Sequence, residues 1–157
     1  MVLLVVSDSH GNVENMVRAV ELVQPRMILH LGDCWRDGEE LHDRFPELPF
    51  EHVPGNCDYR SDQPQEKLLE IAGKRILMCH GHTYHVKSSL IEAGYAAEAQ
   101  QADLFLFGHT HRAFWDFRGK TVFLNPGAVG DYYAPSCGVV RIENGKLDAS
   151  IFPLREK

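Results

Sequence analysis

Val2-Leu3-Leu4-Val5-Val6-Ser7-Asp8-Ser9-His10-Gly11 is the stretch on which the reading of this chain turns. Its five apolar residues form a short run with no basic leader that meets Ser7-Asp8 at once, so they predict a buried strand and not a signal peptide. The strand runs straight into Asp8 and His10, two side chains that ligate metals. Four further apolar runs end the same way. Residues 27–31 lead through Gly32 to Asp33, and residues 50–53 through Pro54-Gly55 to Asn56. Residues 75–79 lead to His80, and residues 104–107 through Gly108 to His109 and His111. Ligands gathered at the carboxyl ends of strands are the usual arrangement of an open α/β sheet.

Between these strands the pattern changes. Val13, Met16, Val17 and Val20 recur at helical spacing, which predicts a helix. A more polar helix is expected over residues 37–45, stopped by Pro46, and a third, a packing helix carrying Leu90, Ile91 and Ala93, over residues 88–101. Strands 67–72 and 75–79 form a hairpin through Gly73-Lys74. The last third reads as a β-meander with turns at Arg118-Gly119 and Asn144-Gly145. Alternating βα units followed by antiparallel strands predict one mixed α/β domain over residues 1–157, with two sheets and helices outside.

Composition narrows the function. A chain of 157 residues with 44% hydrophobic and 24% charged residues is globular and of single-domain length. No stretch approaches a membrane span. A net charge of -6 disfavours a uniformly basic face and stable nucleic-acid binding. Cys34, Cys57, Cys79 and Cys137 are widely spaced with no CxxC, so a reducing cytoplasm without disulfides is expected.

The chemistry lies in the set Asp8, His10, Asp33, Asn56, His80, His109 and His111. In an extended segment residues i and i+2 point the same way, so Asp8-x-His10 and His109-x-His111 can each present two ligands to one region. A lone DxH, HxH, Gly-Asp or Gly-Asn is ordinary turn or strand sequence. All five motifs at strand ends form a constellation. Mixed imidazole, carboxylate and amide donors suit manganese, iron, cobalt, nickel or zinc, with manganese taken first. Seven ligands exceed one tetrahedral ion and fit two divalent ions if a carboxylate bridges them. Asp33 is the natural bridge because it stands alone after its strand. Such a pair supports hydrolysis of phosphate esters by a metal-bridging hydroxide.

The blocks Asp8-Ser9-His10-Gly11, Gly32-Asp33, Gly55-Asn56-Cys57-Asp58, His80-Gly81-His82 and Gly108-His109-Thr110-His111 resemble the calcineurin-like metallophosphoesterase superfamily, in its order. Asn125-Pro126-Gly127-Ala128 extends the likeness to the small bacterial and archaeal phosphodiesterase branch. The resemblance implies a two-sheet β-sandwich flanked by helices, a four-layer αββα fold. It implies one ion on Asp8, His10, Asp33 and His111, and another on Asp33, Asn56, His80 and His109. Many members carry a histidine after the Asn, paired with the following acid. Here that position is Cys57, a poor substitute for imidazole as an acid, which leaves the roles of Cys57 and Asp58, in contact with substrate or behind the ligands, open. The same branch often shows this cysteine and is associated with phosphodiesterase activity, so a small phosphate diester is the expected substrate.

Around the ligands, Asp33 and Asn56 are expected to act on the phosphate directly, and His82 to face the same cleft. Arg112 is a candidate phosphate contact or an exposed salt bridge. His30 is a packed strand residue or a support for the ligands; His42, His52 and His85 read as surface or loop histidines. Tyr132 and Tyr133 are candidates for the cleft, the core or an interface. A homodimer is the expectation for assembly. The other functional class is a non-catalytic scaffold of the same fold, as in the retromer subunit with its degraded metal site. Here every ligand position is filled, which disfavours that class. A mononuclear hydrolase is the third reading.

Overall fold

The computed structural model describes residues 1–59 and 62–155. Its strands and helices run β1 (Val2–Val6), α1 (Val13–Val23), β2 (Met27–His30), α2 (Trp35–Arg44), β3 (Phe50–His52), β4 (Glu66–Ile71), β5 (Lys74–Cys79), α3 (Ile91–Ala99), β6 (Leu104–Leu106), β7 (Phe114–Arg118), β8 (Thr121–Asn125), β9 (Ser136–Glu143) and β10 (Lys146–Pro153). The strands make two five-stranded sheets, ordered β10-β9-β1-β2-β3 and β4-β5-β6-β8-β7.

Strand β1 shows why its sequence is continuously apolar. Leu3 and Val5 enter the core between the two sheets, beside Met78, Leu106 and Leu124 of the opposite sheet. Leu4 and Val6 enter a second core beneath α1 and α2, with Met16, Val20 and Leu41. A strand covered on both faces has no side left for alternation. A third core lies under α3, where Ala93 and Ala97 meet Leu77, Phe105 and Phe123. The layers are therefore helix, sheet, sheet, helix, as expected.

Topology aims the chain at one edge. Strands β1, β2 and β3 are mutually parallel, as are β5, β6 and β8. Asp8, Asp33, Asn56, His80, His109 and His111 all follow strands of these two parallel blocks, and Asn125 ends β8. Helix α1 begins under an Asn12 cap, whose side chain accepts from the Asn15 N–H at 3.1 Å.

Several expectations are corrected. The last third is no meander: β7 and β8 form a hairpin, β8 lies parallel beside β6, and β9 and β10 form a hairpin in the other sheet. Between β6 and β7 in its sheet, β8 is buried along its whole length, which its largely apolar sequence fits and which short-range turn signals do not reveal. The β4–β5 turn is Ala72-Gly73 and the β7–β8 turn Gly119-Lys120, each one residue from the expected pair; Asn144-Gly145 stands as read. Helix α2 starts two residues early, at Trp35. Helix α3 is shorter than expected, and its Ile91 is 64% exposed instead of packed. Among the described residues no helix is long and apolar enough to cross a membrane.

Candidate metal centre

The ligand-bearing loops converge, but not through extended backbone. Asp8, His10, Asp33, His109 and His111 all have positive φ, between 45° and 68°. Non-glycine residues in this region each cost on the order of 1 kcal/mol or more. The expected reason for convergence, alternation along an extended segment, is therefore wrong. Left-handed turns curl each loop so that its side chains reach the common edge. Glycines let the loops touch. A Cβ on Gly55 would collide with the Asp33 carboxylate, and one on Gly108 with the Ser7 hydroxyl.

Two clusters of donors result: Asp8, His10 and His111, and Asp8, Asp33 and His80. The Asp8 Oδ1 atom lies 3.2 Å from His111 Nε2, 3.7 Å from His10 Nε2 and 3.8 Å from His80 Nε2. His80 Nε2 is 3.5 Å from Asp33 Oδ2. The carboxylate common to both clusters is thus Asp8, whereas Asp33 was expected to stand between them. Asp33 has one oxygen committed elsewhere, accepting from the Cys57 N–H at 3.1 Å. The His109 ring lies 5.0 Å from His80, and the His82 ring 5.6 Å from His80 and 6.2 Å from His109, so both histidines face the inner cluster. Asn56 is exposed on the same loop, its amide donating to Cys57 Sγ at 3.6 Å.

Polar satisfaction tests whether cations fit. His80 Nδ1 donates to the Leu31 carbonyl at 2.8 Å, which leaves Nε2 with its lone pair directed into the site. That Nε2 and Asp8 Oδ1 are both buried without a hydrogen-bond partner. Buried orphans of this kind are costly unless something electropositive lies between them. Burial, with the neighbouring His80 ring and the Lys87 charge, lowers His109 to about 4, and burial chiefly lowers His82. Both are neutral near pH 7, the state that can donate a lone pair. The residues present therefore fit a metal.

Supports surround the donors, and several were not visible in the sequence. Asp8 Oδ2 accepts from the Ser7 hydroxyl at 2.6 Å and the His109 N–H at 3.2 Å. Asp58, whose role was open, is a clamp: its carboxylate accepts from the N–H groups of Asp33 (2.9 Å), Trp35 (2.8 Å) and Gly55 (2.7 Å). It ties the β2 and β3 loops together and satisfies the first turn of α2. Asn125 holds the His109 loop, donating to the Gly108 carbonyl (3.1 Å) and Thr110 Oγ1 (2.9 Å). Asp37 accepts from Gly11 N–H at 2.6 Å. His30, fully buried at the end of β2, accepts from Gly32 N–H through Nδ1 and meets Ser9 Oγ at 3.3 Å, so it is both a packed strand residue and a support for the ligand loops. Most of these contacts join residues 15 or more apart in the chain, so the motifs that contain Asp58 and Asn125 do not announce what they hold.

The remaining candidates fall outside the clusters. Cys57 is exposed, and burial followed by Asp33 raises its thiol, so it stays protonated. Arg112 is exposed and, among the described residues, makes no ion pair. His52 is not a loop residue: it lies in β3, half-buried and stacked on Trp35 at 3.4 Å. Tyr132 and Tyr133 are exposed, which excludes the core.

Comparison with known proteins agrees with this geometry. Residues 1–145 match the calcineurin-like phosphoesterase superfamily domain. The chain is 37% identical over 133 residues to "Probable metallophosphoesterase YsnB" of Bacillus subtilis (strain 168), covering 82% of this chain and 75% of that protein. It is 27% identical over 155 residues to phosphodiesterase YfcE of Escherichia coli (strain K12), covering 82% and 79%. Among solved structures, a predicted phosphoesterase from Streptococcus pneumoniae TIGR4 superposes with a TM-score of 0.80 at 25% identity, covering 98% of this chain and 89% of that one. The chain belongs to the calcineurin-like phosphoesterase superfamily.

Proposed function

We propose that this superfamily member is a phosphodiesterase that holds two divalent cations, manganese first among them. The observation that carries the reading is the pair of buried, unpartnered donors Asp8 Oδ1 and His80 Nε2, ringed by His10, His111 and Asp33. In the proposed division, Asp8, His10, Asp33 and His111 hold one ion, and Asp33, Asn56, His80 and His109 the other. Asp33 reaches the inner cluster with Oδ2, while Asp8 Oδ1 lies within reach of both.

Two bound cations of this kind supply a deprotonated water at neutral pH and positive charge for the phosphoryl oxygens. The chain's own residues do the rest. Asn56 offers an amide to a phosphate oxygen, and neutral His82 faces the cleft as a hydrogen-bonding group. Cys57, kept protonated, is no nucleophile. The left-handed loops, fastened by Asp58, Asn125 and His30, hold the donors still, so that little reorganisation accompanies the reaction. Diesters are preferred over monoesters on the Cys57 motif and on the likeness to a phosphodiesterase. Four free cysteines suit a reducing cytoplasm, and one domain carries the whole site; dimerisation is a separate question for light scattering.

The test is hydrolysis of bis(p-nitrophenyl) phosphate by the purified chain with Mn(II). Turnover should vanish in chelator and return with metal. A metal-loaded chain that hydrolyses no ester, while binding a protein partner tightly, would establish the scaffold reading in its place.

A further inference from the structure

A cavity of about 520 Å³ lies beside the His109–His111 loop, lined among others by Lys87, Arg112, Arg118, Thr110, Phe107 and Phe114 and by none of the donors themselves. Thr110 sits between the two ligand histidines of its loop, so the cavity reaches the rim of the site. Lys87 is close enough that its charge contributes to the lowered His109. Three cations face this space and no carboxylate lines it. Among the described residues none of the three has an ion-pair partner. In a chain of net charge -6 that concentration of uncompensated positive charge is against the average, and a concave wall focuses it. The Thr110 hydroxyl is also set. Its oxygen accepts from Arg112 N–H at 3.1 Å and from Asn125 Nδ2 at 2.9 Å, which leaves its own proton to donate.

We propose that this cavity seats a second phosphate group carried by the substrate, so that the chain prefers diesters whose organic part bears a further phosphate. The inference rests on the phosphodiesterase reading for its first phosphate. Arg112 and Arg118 offer planar forks suited to phosphate oxygens, Lys87 a point charge and Thr110 a directed donor. Phe107 and Phe114 give the ring or sugar between the two phosphates an apolar wall. Room continues outward: past the shared Leu90 and Arg118 lies a groove of about 950 Å³ along α3, which lacks Thr110 and so serves only the distal part of a ligand.

Two arms test this. The first compares kcat/KM of the Mn-loaded chain for the p-nitrophenyl ester of thymidine 5′-phosphate with that for the same ester carrying a 3′-phosphate. The phosphorylated ester should be preferred by about 10-fold, the scale of one charge-assisted hydrogen bond. The ratio should fall toward one in Lys87→Gln, Arg112→Gln and Arg118→Gln. Equal kcat/KM for the two esters, or a ratio the variants leave unmoved, overturns the proposal. The second arm is calorimetric titration of thymidine 3′,5′-bisphosphate, thymidine 5′-monophosphate and inorganic phosphate into the full chain, with and without Mn(II). The bisphosphate should bind about 10-fold tighter than the monophosphate even in chelator, and Arg118→Gln should erase that gap. Tight binding of inorganic phosphate alone, with no preference between the nucleotides, would make the cavity a site for a free anion and overturn the substrate role. If no ester turns over yet the bisphosphate gap persists and depends on Arg118, the phosphodiesterase reading fails and the second-phosphate site stands.

Discussion

The inner and outer halves of the donor cluster live in different surroundings. Asp8, His80 and Asp33 have side chains 0%, 0% and 4% exposed, while those of His10 and His111 are 45% and 51% exposed. The inner donors are held from behind: His80 by the Leu31 carbonyl, Asp8 by Ser7, and the Asp33 backbone by Asp58. No comparable hydrogen bond holds the His10 or His111 ring among the described residues. A cation in the inner position would meet the buried, preorganised Asp33 and His80 with Asn56 open to solvent, and one at the rim would share both His10 and His111 with solvent. Second-sphere support and burial therefore predict two unequal sites, the inner retaining its ion longer.

The largest effect should come from the carboxylates. Asp33→Asn should lower diester turnover by on the order of 10³-fold, the scale of losing a charge-stabilising group at a reacting centre. Asp8→Asn is its companion. Because Asp8 Oδ1 reaches both clusters, this variant should lose metal from both positions, read as ions per chain by plasma mass spectrometry. Two ions retained in Asp8→Asn would remove Asp8 from the seam and leave Asp33 as sole bridge. Next in size, His111→Ala should cost about 10²-fold in turnover while one ion remains bound, and that ion should resist chelator about as well as the inner ion of the unaltered chain. Loss of both ions in His111→Ala would erase the distinction between the halves.

Asp58→Ala probes the support itself. It strips three N–H groups of their acceptor and should cost about 2–3 kcal/mol of stability in urea titration, with metal affinity down roughly 10–100-fold. An unaltered midpoint would show that water replaces the clamp at no cost. A further effect concerns acid. Burial, followed by repulsion from His52, lowers His30 to about 3 from 6.5. The unfolded chain then takes up a proton below pH 6.5 that the folded chain refuses until about pH 3. Stability measured in chelator should accordingly be complete above pH 6.5 and decline as pH falls, with a slope approaching about 1.4 kcal/mol per unit for this group alone. His30→Gln should flatten that slope. A slope equal in both proteins would assign the decline to other groups.

Much of the architecture could be read in the chain itself because burial on two faces writes a continuous apolar run. β1, β2 and β6 are such runs, and Asp8, Asp33 and His109 mark their ends. Helix α1 was equally legible, its apolar face repeating at 3.6 residues. Harder were elements whose partners are remote. Nothing near Thr121–Asn125 says that β8 will lie beside β6 rather than continue a meander, and nothing near Ile91 says that its side chain will face out. At the centre, the seven candidate donors could be named from local motifs, whereas the roles of Asp58, His30 and Asn125 could not, since each acts on a loop some 15 or more residues away.

Local sequence alone thus determined the candidate donors and the strands that deliver them, because residue type and burial period are properties of neighbours in the chain. Tertiary structure decided how the donors meet: five left-handed backbone turns, Asp8 Oδ1 within reach of both clusters alongside Asp33, and three cations beside Thr110 that have no ion-pair partner among the described residues. The physical reason is that φ above zero at a carboxylate or imidazole residue is unfavourable by itself. It persists only where contacts from distant loops outweigh the strain, and those contacts exist only once both sheets have closed on each other.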